Sequence, residues 1–431
     1  MVWLAPSDVA RYECYSLTFW LGSHGTTLLP QVQCAFLHIT TPQPPFHMLP
    51  LEYPPLTVLL FSLPLLAPLP YYTLIFALLM TLLSGAIYWL LANSDARRAG
   101  PVFLLYLVLG ALGVAQERFD LLPAACTLIC VLAAGQGRWR TAYIALALGT
   151  LLKIYPIVML PALFLAEQRA ELAKQGYMSE QRSRLAHLWD SVKHWCWSNC
   201  LIFVGMLVLV TGGFALLNVQ DALINPLRYF LLRPPQIESL TSSTIWIGSH
   251  SGTPYKVDYT FGSLNLESAL ARLISPVDTV FTIIGILFAL WLQWRKRISL
   301  AQAAVGLICV LITTGKVFSP QYLIWLFPLL AYIYARGETS RVWMYCWAAI
   351  SLLTTFIYVF YYSHLPDPSK TDPAVMSAMV ERIIATLPGF FEMVALRNVL
   401  LLVTTLMFLC NWWGARQSRQ EKAYKQLLQR E

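Results

Sequence analysis

The chain has 431 residues, of which 57% are hydrophobic and 12% charged, with a formal net charge of +8. That charged fraction is about half of what a soluble domain carries, and apolar runs long enough to span a bilayer recur along the whole length. A soluble globular protein is therefore excluded, and an all-α polytopic membrane protein is expected. The basic excess sits in short breaks between apolar runs, so it reads as membrane topology and not as a nucleic-acid surface.

Residues 1–55 come first and are polar and aromatic, ending in Leu51-Glu52-Tyr53-Pro54-Pro55-Leu56. No basic segment followed by an apolar core precedes Ser7-Asp8, so no cleavable leader is expected. This stretch reads as an extracytoplasmic loop. Cys14 and Cys34 both fall in it and can pair if it faces an oxidising compartment. Cys126/Cys130 and Cys196/Cys200 share helix faces at i, i+4 and read as packing residues.

Residues 56–69 are apolar but number 14 and are bounded or broken by Pro54, Pro55, Pro64, Pro68 and Pro70. About 20 residues are needed to cross a bilayer, so this piece is expected to stay shallow. The first full span is 71–92, followed by spans at 101–117 and 119–134. The run 141–166 is interrupted at Lys153-Ile154-Tyr155-Pro156, where proline ends a helix, and reads as two short passes or a re-entrant pair. A basic loop at 167–196 follows, then a span at 197–217 and a long polar loop at 218–277. Spans at 278–294, 299–314, 320–335, 342–362 and 393–413 complete a bundle of about eleven helices, with a basic tail at 414–431. One membrane-embedded domain takes the whole chain, 1–431.

Charge tests this threading. The breaks at 93–100, 135–140, 167–196, 295–298, 336–341 and 414–431 hold 19 Lys and Arg against 8 Asp and Glu, while the rest of the chain holds 11 against 14. The positive-inside rule makes the first set cytoplasmic. The other side then collects Asp8, Glu52, Arg118, Asp120, Lys153, Arg233, Glu238, Lys316 and Gln321. Several of these stand at the ends of apolar helices, where an ionisable group is costly and marks a functional candidate. A carboxylate among cations suits a reaction of an anionic, lipid-anchored substrate, with Asp8 as base and Arg or Lys as phosphate clamps; Lys316 leads the clamp candidates. Each residue also has a plainer reading. Asp8 can cap a helix starting at Val9, Arg118 and Asp120 can form an interfacial ion pair, and Lys153 can snorkel to the headgroups. His250 and His364 lack metal-ligand spacing, so no metal and no cofactor are expected.

Ser7-Asp8-Val9-Ala10-Arg11-Tyr12-Glu13-Cys14-Tyr15, Leu51-Glu52-Tyr53-Pro54-Pro55-Leu56, Glu117-Arg118-Phe119-Asp120-Leu121-Leu122-Pro123, Leu152-Lys153-Ile154-Tyr155-Pro156 and Lys316-Val317-Phe318-Ser319-Pro320-Gln321-Tyr322 follow one another in this order. The series resembles the motifs of integral-membrane glycosyltransferases of the GT-C fold, and among them glycosyltransferase family 87, the polyprenyl-phosphate-mannose-dependent mannosyltransferases. The resemblance covers most of the chain apart from 167–196. It implies inverting transfer of a hexose, mannose by the family's donor, from a polyprenyl-phosphate sugar to a lipid or glycan acceptor on the extracytoplasmic face of the cell membrane, with membrane lipids as the remaining partners and no nucleic acid. The first-loop aspartate of that family acts as general base, and Asp8 is the matching position. Family members ordinarily carry a transmembrane helix ahead of this loop, whereas this sequence opens at the loop. The competing reading is a lipid or solute transporter without chemistry, or an inactive relative. Transporters often show internal repeats and midplane-broken helices; no repeat is evident here.

Overall fold

The computed structural model describes residues 7–111, 114–174 and 195–410. The tail at 414–431 and most of the 167–196 loop lie outside the described residues. The described chain is mostly helical. Its α-helices are α1 (Ser7–Leu21), α2 (Gln31–Cys34), α3 (Thr57–Ser62), α4 (Tyr72–Ala92), α5 (Ala99–Ala111), α6 (Leu121–Gly135), α7 (Trp139–Leu152), α8 (Leu160–Lys174) and α9 (Ser198–Ala215). They continue with α10 (Asn225–Leu232), α11 (Leu240–Ser249), α12 (Ala269–Trp294), α13 (Leu300–Thr314), α14 (Phe327–Ala335), α15 (Arg341–Phe356), α16 (Pro373–Thr386) and α17 (Phe390–Leu409). Strands β1 (Lys256–Thr260) and β2 (Ser263–Glu267) pair antiparallel between α11 and α12.

Five helical stretches are long and apolar enough to cross a membrane: Leu69–Ala92, Ser198–Ala215, Ala269–Trp294, Arg341–His364 and Phe390–Leu409. The other six of the expected eleven spans fall on α5, α6, α7, α8, α13 and α14, whose 9 to 15 residues are short of the roughly 20 that a bilayer asks of a lone helix. Thr57–Leu66 is short as well, as the prolines around it require. Two lipid-type faces stand out. On α9, Val208 and Leu209 are 67% and 78% exposed, and on α12 Leu273 and Leu287 are 70% and 60% exposed. Apolar surface on that scale is not ordinarily left to water, and both helices are among those long and apolar enough to cross a membrane. The core lies on the other side, where α6, α7, α13 and α14 pack around Phe327, Tyr143, Ile308 and Leu146.

The expected long loop at 218–277 is ordered. Alternation of Val257 and Tyr259 against Asp258, and of Leu264 and Leu266 around Asn265, is a strand pattern. The two-residue connection Phe261-Gly262 has positive φ at both positions, 52° and 66°, the geometry of a type I′ hairpin turn. The buried Asn265 amide closes the hairpin from inside by donating to the Thr260 carbonyl at 2.6 Å and its hydroxyl at 2.9 Å. Among the described residues the fold is thus helical with one small β-hairpin inserted between α11 and α12. α16 was not expected either; its Met376, Val380 and Ile384 repeat at i, i+4, i+8 and pack with Ile237 and Val257 into a separate small core that holds the hairpin down.

Candidate functional site

The first segment is a helix and not an open loop. α1 starts with Asp8 in its first turn, where a carboxylate meets the positive end of the helix dipole. Its spacing puts Asp8, Arg11, Tyr12 and Tyr15 along one side. Cys14 on α1 is bonded to Cys34 at the end of α2, with a Cα–Cα separation of 5.8 Å, so the return of the segment is covalently tied. Tyr12 stacks on Phe61 at 4.2 Å and meets Tyr53 and Phe119 edge-on. That aromatic floor fixes the helix whose polar side faces a cavity.

The cavity measures about 360 Å³ and is walled by Asp8, Arg11, Glu52, Arg118, Arg233 and Gln321, with Glu238 at its edge. Its polar groups come in pairs. Arg118 holds Asp8 by an ion pair to Oδ2, and no hydrogen bond to Oδ1 is formed among the described residues. Arg11 donates to Glu52 at 2.9 Å and the Tyr15 hydroxyl donates to the same carboxylate oxygen at 2.8 Å. Burial pushes the Glu52 carboxyl above its ordinary range, against the pull of Arg11 and Tyr15. Gly262, at the hairpin tip, sits on the Arg11 guanidinium so closely that a Cβ there would overlap it. The hairpin therefore roofs the cavity, and its turn admits glycine for both conformation and space.

Arg233 differs from the other two arginines. Its guanidinium donates to the Ser263 hydroxyl at 2.6 Å and lies 5.5 Å from the Tyr229 ring, and among the described residues no carboxylate is within ion-pair distance of it. A positive charge without a counter-ion in a partly dry wall attracts an anion. Next to Arg233, the final residues of α10 turn outward: Leu227, Phe230, Leu231 and Leu232 are all more than half exposed. A cation with no ion-pair partner among the described residues thus sits beside an apolar rim.

No protein-family model matches this chain, and no curated protein matches it.

Of the sequence-derived candidates, the cavity brings together Asp8, Glu52, Arg118, Arg233, Glu238 and Gln321. Gln321 is oriented by Ser319, whose hydroxyl donates to its Oε1 at 2.9 Å. Lys153 and Asp120 lie below the cavity and do not wall it. Lys153 binds Asp120 at 2.5 Å inside a cage of Tyr53, Phe119, Tyr322 and Trp325 rings. The Trp325 indole donates to the same carboxylate oxygen at 2.5 Å. The Lys153 amine is thus turned inward onto Asp120 and the rings. Lys316 also stands outside the wall: its amine donates to the Leu231 carbonyl at 2.8 Å, capping the end of α10. Burial and the charge of Arg233 lower its basicity, and its amine lies 6.0 Å from the Phe230 ring at the apolar rim.

Two residues with structural weight were not singled out from the sequence. Arg11 belongs to the quoted first motif, yet its role as the partner of Glu52 and seat of Gly262 needed the fold. Arg397 lies inside the apolar run of α17, and a lone arginine in such a run is itself the signal. It donates to Glu238 Oε2 at 2.8 Å and to the Glu238 carbonyl at 2.6 Å, and its guanidinium lies 4.0 Å from the Phe318 ring.

Proposed function

We propose that this chain is an integral-membrane, multi-pass glycosyltransferase of the GT-C type. It moves a hexose, mannose on the resemblance of its motifs, from a polyprenyl-phosphate sugar to a lipid or glycan hydroxyl on the extracytoplasmic face, with inversion. In this reading the short helices cross as members of a bundle, shielded by their neighbours, and α8 and α14 are lengthened by the 3₁₀ segments Tyr155–Met159 and Pro320–Trp325 that precede them. The Cys14–Cys34 bond supports an oxidising compartment for the cavity side.

The observation that carries the proposal is the cavity in which a half-engaged carboxylate, Asp8, faces the same space as Arg233, an arginine that makes no ion pair among the described residues. The donor phosphate is held by Arg233, with Lys316 at the rim adding long-range charge; the polyprenyl tail follows the apolar rim of α10. Arg118 fixes Asp8 through Oδ2, so Oδ1 accepts the proton of the acceptor hydroxyl. As the acceptor oxygen bonds to the anomeric carbon, the bond from that carbon to the phosphate oxygen breaks, and polyprenyl phosphate leaves with the electron pair. Asp8 then returns its proton to water. Oriented charge in a partly closed site is the main source of rate in such a step. Glu52 keeps Arg11 in place under the hairpin, and Gln321 offers its amide to the sugar.

The test is to reconstitute the full chain in nanodiscs with a polyprenyl-phosphate hexose and follow polyprenyl phosphate release with candidate acceptors. Release that depends on Asp8 and Arg233 supports the reading. Exchange of the intact lipid between leaflets, with no cleavage under any acceptor, overturns it in favour of transport.

A further inference from the structure

A second charged cavity lies at the far end of the molecule. α12 starts one residue after β2, whose hairpin roofs the outer cavity, and its 26 residues carry the chain about 39 Å away. There a cavity of about 400 Å³ opens between the turn after α12, α8 and the turn before α15, walled among others by Arg169, Lys296, Arg297, Ser299, Gln302 and Glu338. Its one carboxylate is occupied: Glu338 accepts from Arg336 at 2.7 Å and from the Ser299 hydroxyl at 2.6 Å. Arg169 spends both terminal nitrogens on the carbonyls of Gln293 and Trp294, the last of α12. Arg295, Lys296 and Arg297 have no ion-pair partner among the described residues.

The backbone at Lys296 is the second observation. α12 ends in a Schellman motif, with Lys296 N–H bonded to the Gln293 carbonyl at 2.9 Å and Arg297 N–H to the Leu292 carbonyl at 3.0 Å. The residue in the left-handed position of that motif is ordinarily glycine, yet here it is Lys296 at φ 56°. A side chain there costs about 1 kcal/mol, and strain of this sort gathers at sites with a task. The left-handed turn brings Lys296 and Arg297 into one cavity wall. Arg295 and Arg297 both lie within 6 Å of the Trp291 ring, and half-exposed Trp291 and Trp294 stand at the end of the exposed apolar face of α12. Tryptophans in that position mark the interface between acyl chains and headgroups.

We propose that this end of α12 holds the headgroup of an anionic glycerophospholipid, its phosphate between Lys296 and Arg297 and its acyl chains along α12. The proposal is independent of the chemistry assigned to the outer cavity. Basic clusters at this depth each gain from anionic headgroups and lose little to neutral ones.

The experiment compares the full chain with Lys296→Gly and with the Lys296→Gly/Arg297→Gln pair, each stripped of lipid in neutral detergent and then incubated with an equimolar mixture of phosphatidylglycerol and phosphatidylcholine. Retained phosphatidylglycerol and phosphatidylcholine are counted by native mass spectrometry, and melting is followed with each lipid and with inorganic phosphate. Glycine suits the left-handed position, so Lys296→Gly melts no lower than the parent. Its affinity for phosphatidylglycerol falls about fivefold, and a further fivefold in the pair. Equal retention of both lipids by the parent, an undiminished phosphatidylglycerol preference in the pair, or inorganic phosphate stabilising as much as phosphatidylglycerol would each overturn the proposal.

Discussion

Asp8 and Glu238 border the same cavity and each is paired with an arginine, yet their conditions are opposite. Glu238 is fully buried; Tyr362 donates to its Oε1 at 2.7 Å, Arg397 to its Oε2, and Arg397 and Asn398 to its carbonyl. Asp8 is 13% exposed, and Arg118 takes one of its oxygens. A carboxylate with both oxygens engaged is an anchor, because moving a proton to it would break a closed network. One that is held on one side and open on the other is oriented and still available. Charge count alone ranks the two residues together; the number of unfilled acceptor positions separates them.

Breaking the available member should show first in chemistry. Asp8→Asn keeps the shape and removes the base, so polyprenyl phosphate release should fall by about 10² to 10⁴ while melting shifts by a few degrees at most. Full activity in Asp8→Asn would remove the base assignment. Glu238→Gln should do the reverse, lowering melting while the protein that remains folded keeps its turnover.

Breaking the anchor should show in stability. Arg397→Ala leaves the Glu238 carboxylate buried without its counter-ion, a loss of about 3–5 kcal/mol, seen as a collapse in melting temperature in detergent. The double change Glu238→Gln/Arg397→Met removes both charges together and should recover part of that loss. If the double variant melts as low as Arg397→Ala, the pair is not the clamp between the 233–240 segment and α17. The Cys14–Cys34 bond is smaller in effect. It closes a loop 20 residues apart in sequence, so Cys14→Ser/Cys34→Ser should cost about 3 kcal/mol, measured as a melting difference that vanishes when the parent is reduced. That loss belongs to the return of the first segment and should leave the melting of Asp8→Asn relative to its own background unchanged.

How much of this was legible follows from what each signal depends on. The long apolar spans declare themselves through length, and the break at Lys153-Ile154-Tyr155-Pro156 through its proline; α7 does end at Leu152. The hairpin was hidden because its turn is Phe-Gly and not Asn-Gly, although alternation was present within each strand, at Val257 and Tyr259 and at Leu264 and Leu266. α16 was masked by its own brevity beside the spans. Asp8, Glu52 and Arg118 converge because helix ends on one side of a bundle must meet there. Which cation remains without a counter-ion was not legible: that depends on Arg11 reaching Glu52 and Arg118 reaching Asp8, contacts between segments 40 to 110 residues apart, which leave Arg233 over. Lys316 looked freer in the sequence than Arg233, yet the end of α10 claims it.

The comparison has a third carboxylate that sharpens it. Glu117 sits in the turn before α6, next to Arg118 and with neither the closed network of Glu238 nor the cavity place of Asp8. Burial pushes its carboxyl up to about 7, with Asp8 adding to the rise and Arg118 opposing it. The folded protein therefore binds the Glu117 proton more tightly than the unfolded chain does. Stability from this group is fully present below the ordinary glutamate value and is lost as pH rises through about 7; solvent screening at a partly exposed turn holds the effect to about 1 kcal/mol. Glu117→Gln should flatten the fall in melting temperature between pH 5 and pH 8 without changing the value at pH 5. The same deprotonation puts a second negative charge on Arg118, in competition with Asp8. Turnover in the parent should therefore respond near neutrality in a way that the glutamine variant does not, and identical pH profiles for the two proteins would show that Arg118 serves Asp8 alone.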